Sequence, residues 1–191
     1  MLPNTGAIVL AAGFSRRFGG NKLNAKLSNN KTVFQQTIER LTESVPEVIV
    51  VSRADIAPIL QPYHSDVRIF SGADQGMGST LAFAIQQIQN WDACLICLAD
   101  MPFINPASYR AIADLIEPNS IVVPSYSGQI GNPVAFSSEY FPELSCLQGD
   151  SGGRTLMKKH TENIIKLNLE DAGILQDIDT EDDLQRYQAA D

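Results

Sequence analysis

The sequence predicts an α/β fold built on a doubly wound, mainly parallel sheet, and three observations carry that prediction. Apolar runs of strand length, GAIVLA (6–11), EVIVVS (47–52) and ACLICLAD (93–100), are continuous rather than alternating, as in strands covered on both faces. Between them, apolar residues recur at helical spacing, so strands alternate with helices through the first two-thirds of the chain. The 191 residues, 44% hydrophobic and 19% charged, contain no internal repeat and no Ser-, Gly- or Pro-rich linker. One domain spanning 1–191 is therefore expected.

The elements follow in order. GAIVLA runs into the glycine-rich loop AGFSRRFGGNK, and residues 32–43 then place Val33, Phe34, Thr37, Ile38 and Leu41 on one helical face. EVIVVS and VRIFSG (67–72) supply the second and third strands, and Leu81, Ala84, Ile85 and Ile88 give the next helix its apolar stripe. ACLICLAD is the fourth strand, residues 106–117 read as a helix and SIVVPS (120–125) as a strand. Past Pro124 the rhythm changes: SYSGQIGNPVAFSS has two glycines and a turn between short strand-like pieces, which predicts a small β-hairpin insertion. Residues 150–160 read as a helix, NIIKLNL as a strand and TEDDLQRYQ as a final helix, capped by Thr180 with Asp183 three residues on.

Composition excludes several function classes. A net charge of −8 disfavours a nucleic-acid or anionic-membrane surface, so neither partner is expected. The N-terminal MLPNTGAIVLAAG has no basic region and only a short apolar run, which fits neither a signal peptide nor a membrane span; a cytoplasmic protein is expected. Three cysteines make a poor disulfide framework. Cys94 and Cys97 form a CxxC, but residues three apart on a strand point to opposite faces, so they read as core thiols. His64 and His160, the two histidines, are placed on the surface, and a histidine-rich metal site is not expected.

The charge is unevenly spread. Residues 1–38 hold five cations (Arg16, Arg17, Lys22, Lys26, Lys31) and no acid. Several of these sit in IVLAAGFSRRFGGNK, which is neither a GxxxxGK[ST] loop nor a GxGxxG loop. Its anion-binding physics is nonetheless intact: a glycine turn exposes backbone N–H groups, and Arg17 and Lys22 can add charge-assisted bonds to phosphate oxygens. A triphosphate suits it. Arg16 reads equally well as a solvated loop cation. Asp100 follows the fourth strand as the loop follows the first, so both lie at carboxyl ends and can face one site. The eight acids of 170–191, Asp177 and Asp179 among them, also read as a solvated face with a helix cap, and Arg154 as a helix-surface cation.

LAAGFSRRFGGNK resembles the LAAGxSxRMGxxK signature of the MobA-like nucleotidyltransferases, which include the molybdenum-cofactor cytidylyltransferases and guanylyltransferases. GADQGMGSTL, LADMPFI, GNPVAF, GDSGGRTL and DIDTEDDL are similar to the family's later motifs in their expected order. The resemblance implies a Rossmann-like nucleotidyltransferase fold and an enzyme that moves CMP from CTP onto the phosphate of a molybdopterin-type acceptor. It implies that Leu10, Ala11, Ala12 and Gly13 cradle base and ribose, that Arg17 and Lys22 bind the triphosphate, and that Ser79 helps fix the nucleotide. Asp100 would hold Mg²⁺, with Asp179, or Asp177 beside it, as the second carboxylate; Arg17, Lys22 and Asp100 form the catalytic set. Gly131, Asn132, Pro133, Asp150 and Arg154 would lie toward the acceptor, and a molybdoenzyme would receive the product. Two departures stand out: Glu181 replaces the usual proline of the terminal motif, and Asn132 stands where many members have histidine. LAAG in place of LAGG points to cytosine. The rivals are a guanylyltransferase, another cytidylyl or sugar-phosphate nucleotidyltransferase, and a non-catalytic chaperone that delivers cofactor.

Overall fold

In the computed structural model, which describes Leu2 and residues 4–188, the first apolar run forms β1 (Thr5–Ala11), buried at every position but Leu10. The outer bounds of the expected domain, Met1 and Asp191, lie outside the described residues. β1 pairs in parallel with β2 (Val48–Ser52) on one side and with β4 (Ala93–Leu98) on the other, and β3 (Val67–Ile69) extends the sheet beyond β2. A strand in that central position needs apolar side chains toward both faces, which is why its sequence does not alternate.

The second half of the sheet is built differently. β5 (Ile121–Tyr126) turns through Ser127 and Gly128, at φ 48° and 79°, into β6 (Gln129–Ile130), the hairpin that the sequence predicts. β7 (Val134–Ser137) does not stay in an insertion: it lies antiparallel between β4 and β5, inside the main sheet. Ala135 and Phe136 are fully buried and belong to opposite core faces, so the strand needs cover on both sides. β8 (Ile164–Asn168) pairs in parallel with β5, and the order is β3-β2-β1-β4-β7-β5-β6 with β8 beside β5.

Helices cover both faces. α1 (Val33–Thr42) starts where the Thr32 hydroxyl accepts from the Gln35 N–H at 3.0 Å, and it buries Phe34, Ile38 and Leu41. α2 (Ala57–Leu60) is a single turn after β2. α3 (Met77–Gln87) buries Leu81, Ala84 and Ile85 on the opposite face, and α4 (Pro106–Leu115), capped by Asn105, returns to the α1 side with Tyr109 and Ile112. α5 (Phe141–Leu144), α6 (Arg154–Lys159) and α7 (Glu181–Gln188) are short. The two core clusters divide β1 by alternation, Ala7 and Val9 against α1 and α4, Ile8 against α3. Cys94 and Cys97 fall into different clusters, and burial pushes both thiols far above the usual thiol range. Among the described residues no helix is long and apolar enough to cross a membrane.

The two histidines, read as surface residues, are half-buried and each has a partner. His64 Nε2 lies 2.9 Å from the Val48 carbonyl, and His160 Nε2 lies 3.0 Å from Glu143 with its ring against Tyr140.

The chain after β8 passes behind the segment that follows β4. At Gly173 an added Cβ would meet backbone, 2.5 Å from Phe103 C and 2.8 Å from Ile104 N. Gly173→Ala is therefore expected to cost about 1–3 kcal/mol, because backbone on both sides must shift. Thermal and urea unfolding check this; an unchanged melting temperature would mean that the crossing yields freely.

Candidate active site

The site begins where β1 ends. Sheet order reverses between β1 and β4, and in open α/β sheets the crevice beyond the carboxyl ends at such a point accepts ligands. The loop after Ala11 turns through Ser15 and Gly19, at φ 48° and 74°, the second a backbone conformation suited to glycine. Asn21 then accepts from the Leu23 N–H at 3.1 Å and caps a short 3-10 turn, Lys22–Asn24, which brings Lys22 into the crevice.

Lys22 is where the site closes. Its ammonium lies 2.5 Å from Asp100 Oδ2 and 2.8 Å from Asp179 Oδ1, and Arg17 Nη1 meets Asp179 Oδ2 at 2.9 Å. Asp100 ends the β4 segment. Asp179 arrives from the C-terminal segment, which is pinned by the Ile178 N–H donating to the Asp100 carbonyl at 2.9 Å and by the fully buried Ile178 side chain. Ile178 packs with Leu27, Val33 and Phe103 in a small third cluster. Just beyond, Thr180 and Asp183 cap α7 reciprocally: Asp183 accepts from the Thr180 N–H at 2.8 Å, and Thr180 Oγ1 accepts from the Asp183 N–H at 3.1 Å. Glu181 in place of proline thus leaves the helix start well supported.

Around this cluster lies a cleft of about 500 Å³. Leu10, Ala11, Ala12 and Gly13 line it, as do Arg17, Lys22, Asp100, Asp150 and Asp179, and Asp177 is also there. An added Cβ at Gly13 would meet nothing within 4 Å, so the loop leaves open space on the cleft side. Ser79 does not line this cleft. It faces a second groove, accepting from the Gly149 N–H at 3.2 Å, while its neighbour Thr80 faces the first. Gly131, Asn132 and Pro133 do not line it either. They precede β7, whose Val134 pairs with Ile96, so they lie at the carboxyl-end edge of the sheet near Asp100. Arg154 is exposed at the start of α6 and outside the cleft. Gly76 and Gly78 press against the 148–151 loop, where Gly78 N–H donates to the Gly149 carbonyl at 2.7 Å; this contact holds Asp150 at the cleft.

Sequence reasoning missed Phe14, Met77, Thr80 and Arg53. The first three line the cleft, and Arg53, just after β2, binds the loop carbonyls from behind. The rule that ligands sit beyond carboxyl ends would have pointed to Arg53.

The MobA-like NTP transferase domain matches residues 7–164. The chain belongs to that family. Purine catabolism protein PucB of Bacillus subtilis is 31% identical over 196 residues, covering 96% of this chain and 95% of that protein. A probable molybdenum cofactor guanylyltransferase of Thermococcus kodakarensis is 30% identical over 138 residues, 69% of this chain and 66% of that one. The crystal structure of Rv0371c from Mycobacterium tuberculosis superposes with a TM-score of 0.85 at 26% identity, covering 97% of each chain. The same protein is known as a complex with manganese, at a TM-score of 0.82 and 25% identity over 98% of this chain and 100% of that one. This MobA-like chain is accordingly a nucleotidyltransferase with a mixed, Rossmann-like α/β fold.

The electrostatics of this MobA-like site run in two directions. Burial pushes the Asp100 carboxyl above the usual carboxylate range, although Lys22 beside it pulls the other way. The hydrogen bond from Lys22 holds Asp179 below that range, helped by Arg17. Burial alone would lower Lys22, but the two carboxylates outweigh it and its ammonium stays charged beyond the usual lysine range.

The donor chemistry also fits a hard divalent cation. Asp100 Oδ1 is buried without a hydrogen-bond partner, an oxygen that a cation would satisfy. Among the described residues no three His, Cys, Asp or Glu side chains converge into a metal cage. That suits an ion held by one or two carboxylates whose other ligands are waters and substrate phosphates.

A pH dependence follows. Asp179, with its pKa depressed in the folded state, contributes stability above about 3.9 that is lost as pH falls through its folded value. Asp100 works oppositely: stability falls as pH rises from about 3.9 to its raised folded value. In a carbon-detected NMR titration Asp179 is expected to titrate below Asp100, and Lys22→Ala is expected to raise both. Identical titration of the two carboxyls in wild type would contradict the cluster.

Proposed function

We propose that this chain transfers CMP from CTP to the terminal phosphate of a molybdopterin-type acceptor and releases pyrophosphate. The observation that carries the reading is the Arg17, Lys22, Asp100 and Asp179 cluster at the mouth of the glycine loop, two cations and two carboxylates in one crevice. Pure binding does not require a pair of acids beside a phosphate cradle, which favours the enzyme over a cofactor-delivery chaperone.

The proposed chemistry is displacement at phosphorus. An oxygen of the acceptor phosphate forms a bond to the α-phosphorus of CTP as the bond to the bridging oxygen breaks, and the electron pair leaves with pyrophosphate. An ionised phosphate is already a nucleophile, so no Ser, His, Asp triad is needed. Lys22 and Arg17 exchange their carboxylate partners for phosphate oxygens and offset the charge that grows on the leaving group. Leu10, Ala11, Ala12 and Gly13 take base and ribose, with Thr80 facing the same space. Asp150 and the 131–133 loop are the acceptor side, and Arg154 and Ser79 stand outside the cleft with roles only if acceptor or loop approaches them. Asp100 and Asp179, with Asp177 as the neighbouring alternative, would hold Mg²⁺, which when bound neutralises charge across the phosphate oxygens.

Support for the acceptor comes from one relative's name, a probable molybdenum cofactor guanylyltransferase; the other's, a purine catabolism protein, specifies no acceptor. The former name favours a second reading, guanylyl transfer by the same chemistry. We retain CTP on the LAAG motif, because a purine must find extra room beside the buried Ala11 and Ala12. A molybdoenzyme is the proposed recipient of the product. We also take 1–191 as one working domain, since Asp179 lies beyond the family match at 164 yet reaches the cleft.

The test is pyrophosphate release with CTP, GTP, ATP and UTP against molybdenum-loaded and metal-free molybdopterin. CTP is expected to be used best; equal or faster release with GTP moves the protein to guanylyl transfer, and none with any nucleotide removes catalysis. Asp100→Asn should lower turnover by about 10²-fold or more in a folded protein. Lys22→Ala and Arg17→Ala should each cost about 10- to 150-fold in kcat/KM for the nucleotide. Lys31→Ala is the control: its ammonium pairs with Glu39 at 2.6 Å, outside the cleft, and should matter little.

A further inference from the structure

We propose that Arg53 is a positioning residue that holds the glycine loop with its N–H groups turned toward the phosphates. The inference rests on the triphosphate reading above and deepens it. Arg53 follows β2 and does not line the cleft. Its Nη1 donates to the Gly13 carbonyl at 2.6 Å and to the Ala12 carbonyl at 3.2 Å, while the preceding Ser52 hydroxyl donates to the Ala11 carbonyl at 3.1 Å. Three consecutive carbonyls are thereby drawn to one side.

A trans peptide unit is planar, with its C=O and N–H pointing in opposite directions. Fixing the carbonyls of Ala12 and Gly13 toward Arg53 therefore turns the N–H groups of Gly13 and Phe14 the other way. Both of those residues line the cleft, and among the described residues neither N–H has an acceptor. Two unpaired donors beside Arg17 and Lys22 make a concave anion site, the arrangement that binds phosphate oxygens. Without Arg53 the Ala12 and Gly13 carbonyls would be free to rotate into the cleft and repel them.

The guanidinium is itself held from every side. Nε and Nη2 donate to the two Asp55 oxygens at 3.0 and 2.8 Å, and the guanidinium carbon lies 4.1 Å from the centre of the Phe14 ring. The side chain is 15% exposed. Four hydrogen bonds and a stacked ring use the planar fork, which a lysine ammonium does not supply.

The experiment is calorimetric binding of inorganic tripolyphosphate to the full chain, which is independent of base and acceptor. Wild type is expected to bind it. Arg53→Ala should weaken binding about 10-fold or more with little change in melting temperature, and Arg53→Lys should recover little of the loss. Asp55→Asn, on a side chain that is 65% exposed, frees the fork without touching the loop and should weaken binding in the same direction by less. That variant carries the test if Arg53→Ala folds poorly. Wild-type affinity in both Arg53→Ala and Asp55→Asn overturns the inference, as does full recovery in Arg53→Lys. Failure of the wider reading looks different: wild type would bind tripolyphosphate, with the Arg53 dependence intact, and yet release no pyrophosphate from CTP. If wild type does not bind tripolyphosphate, the phosphate cradle and the role of Arg53 fall together.

Discussion

Lys22 is the constraint on which the rest of the site depends. One ammonium, at 22, joins two carboxylates that lie 78 and 157 positions further along the chain, at 100 and 179, and no local pattern could bring these three stretches together. Asp100 is mostly buried, and a buried carboxylate without a counter-charge would cost several kcal/mol or lose its ionisation, on the order of the penalties for broken buried pairs. Lys22 opposes that loss, pulling the carboxyl back toward its ionised form. The supporting features serve that meeting: the Asn21 cap sets the approach of Lys22, the Ile178 anchor sets Asp179, and the α7 capping box ends the segment.

The sheet explains why those elements meet at one edge. β1 and β4 are parallel neighbours at the reversal of strand order, so the loops that leave them diverge and open a crevice. β7 then runs antiparallel beside β4 and delivers the 131–133 loop to the same edge from the far side. The glycine loop and the 131–133 loop can face each other only because an antiparallel strand is threaded into an otherwise parallel core. The glycines that permit close packing lie at these joints: at Gly131 an added Cβ would sit 2.5 Å from the Ile174 carbonyl, and at Gly76 it would sit as close to the backbone of Gly149.

What was legible in the sequence was what local periodicity and local chemistry encode. Continuous apolar runs announced the parallel strands, the positions of Cys94 and Cys97 on one strand announced their separation onto two core faces, and the Thr180 and Asp183 spacing announced the last helix start. The failures share a cause in long-range pairing. VAFS is as consistent with a hairpin arm as with a central strand, because only its neighbours, β4 and β5, make it central. Ser79 and Thr80 are adjacent on a helix, about 100° apart by its 3.6-residue turn, so a motif that contains both cannot say which faces the cleft. Arg53 carries no motif at all, and its partners lie some forty residues earlier in the chain.

The cluster is also graded in exposure, and the gradient bears on how a charged ligand enters. At the outer end the Arg17 and Asp179 side chains are 78% and 40% exposed, so their pair is screened and worth about 0–1 kcal/mol. At the inner end Lys22 and Asp100 are 11% and 15% exposed, where the same contact is less screened and holds position. On the proposed reading a nucleotide phosphate approaching from solvent would meet first the ion pair that is easiest to part. Arg17 would then part from Asp179 first, and Lys22, held deeper by Asp100, would change partners only as the phosphates reach the inner end. Two cations and two carboxylates balance each other in the cluster, and on the proposed reading phosphates and a divalent cation would take over the same pairings with no charge left stranded in the protein.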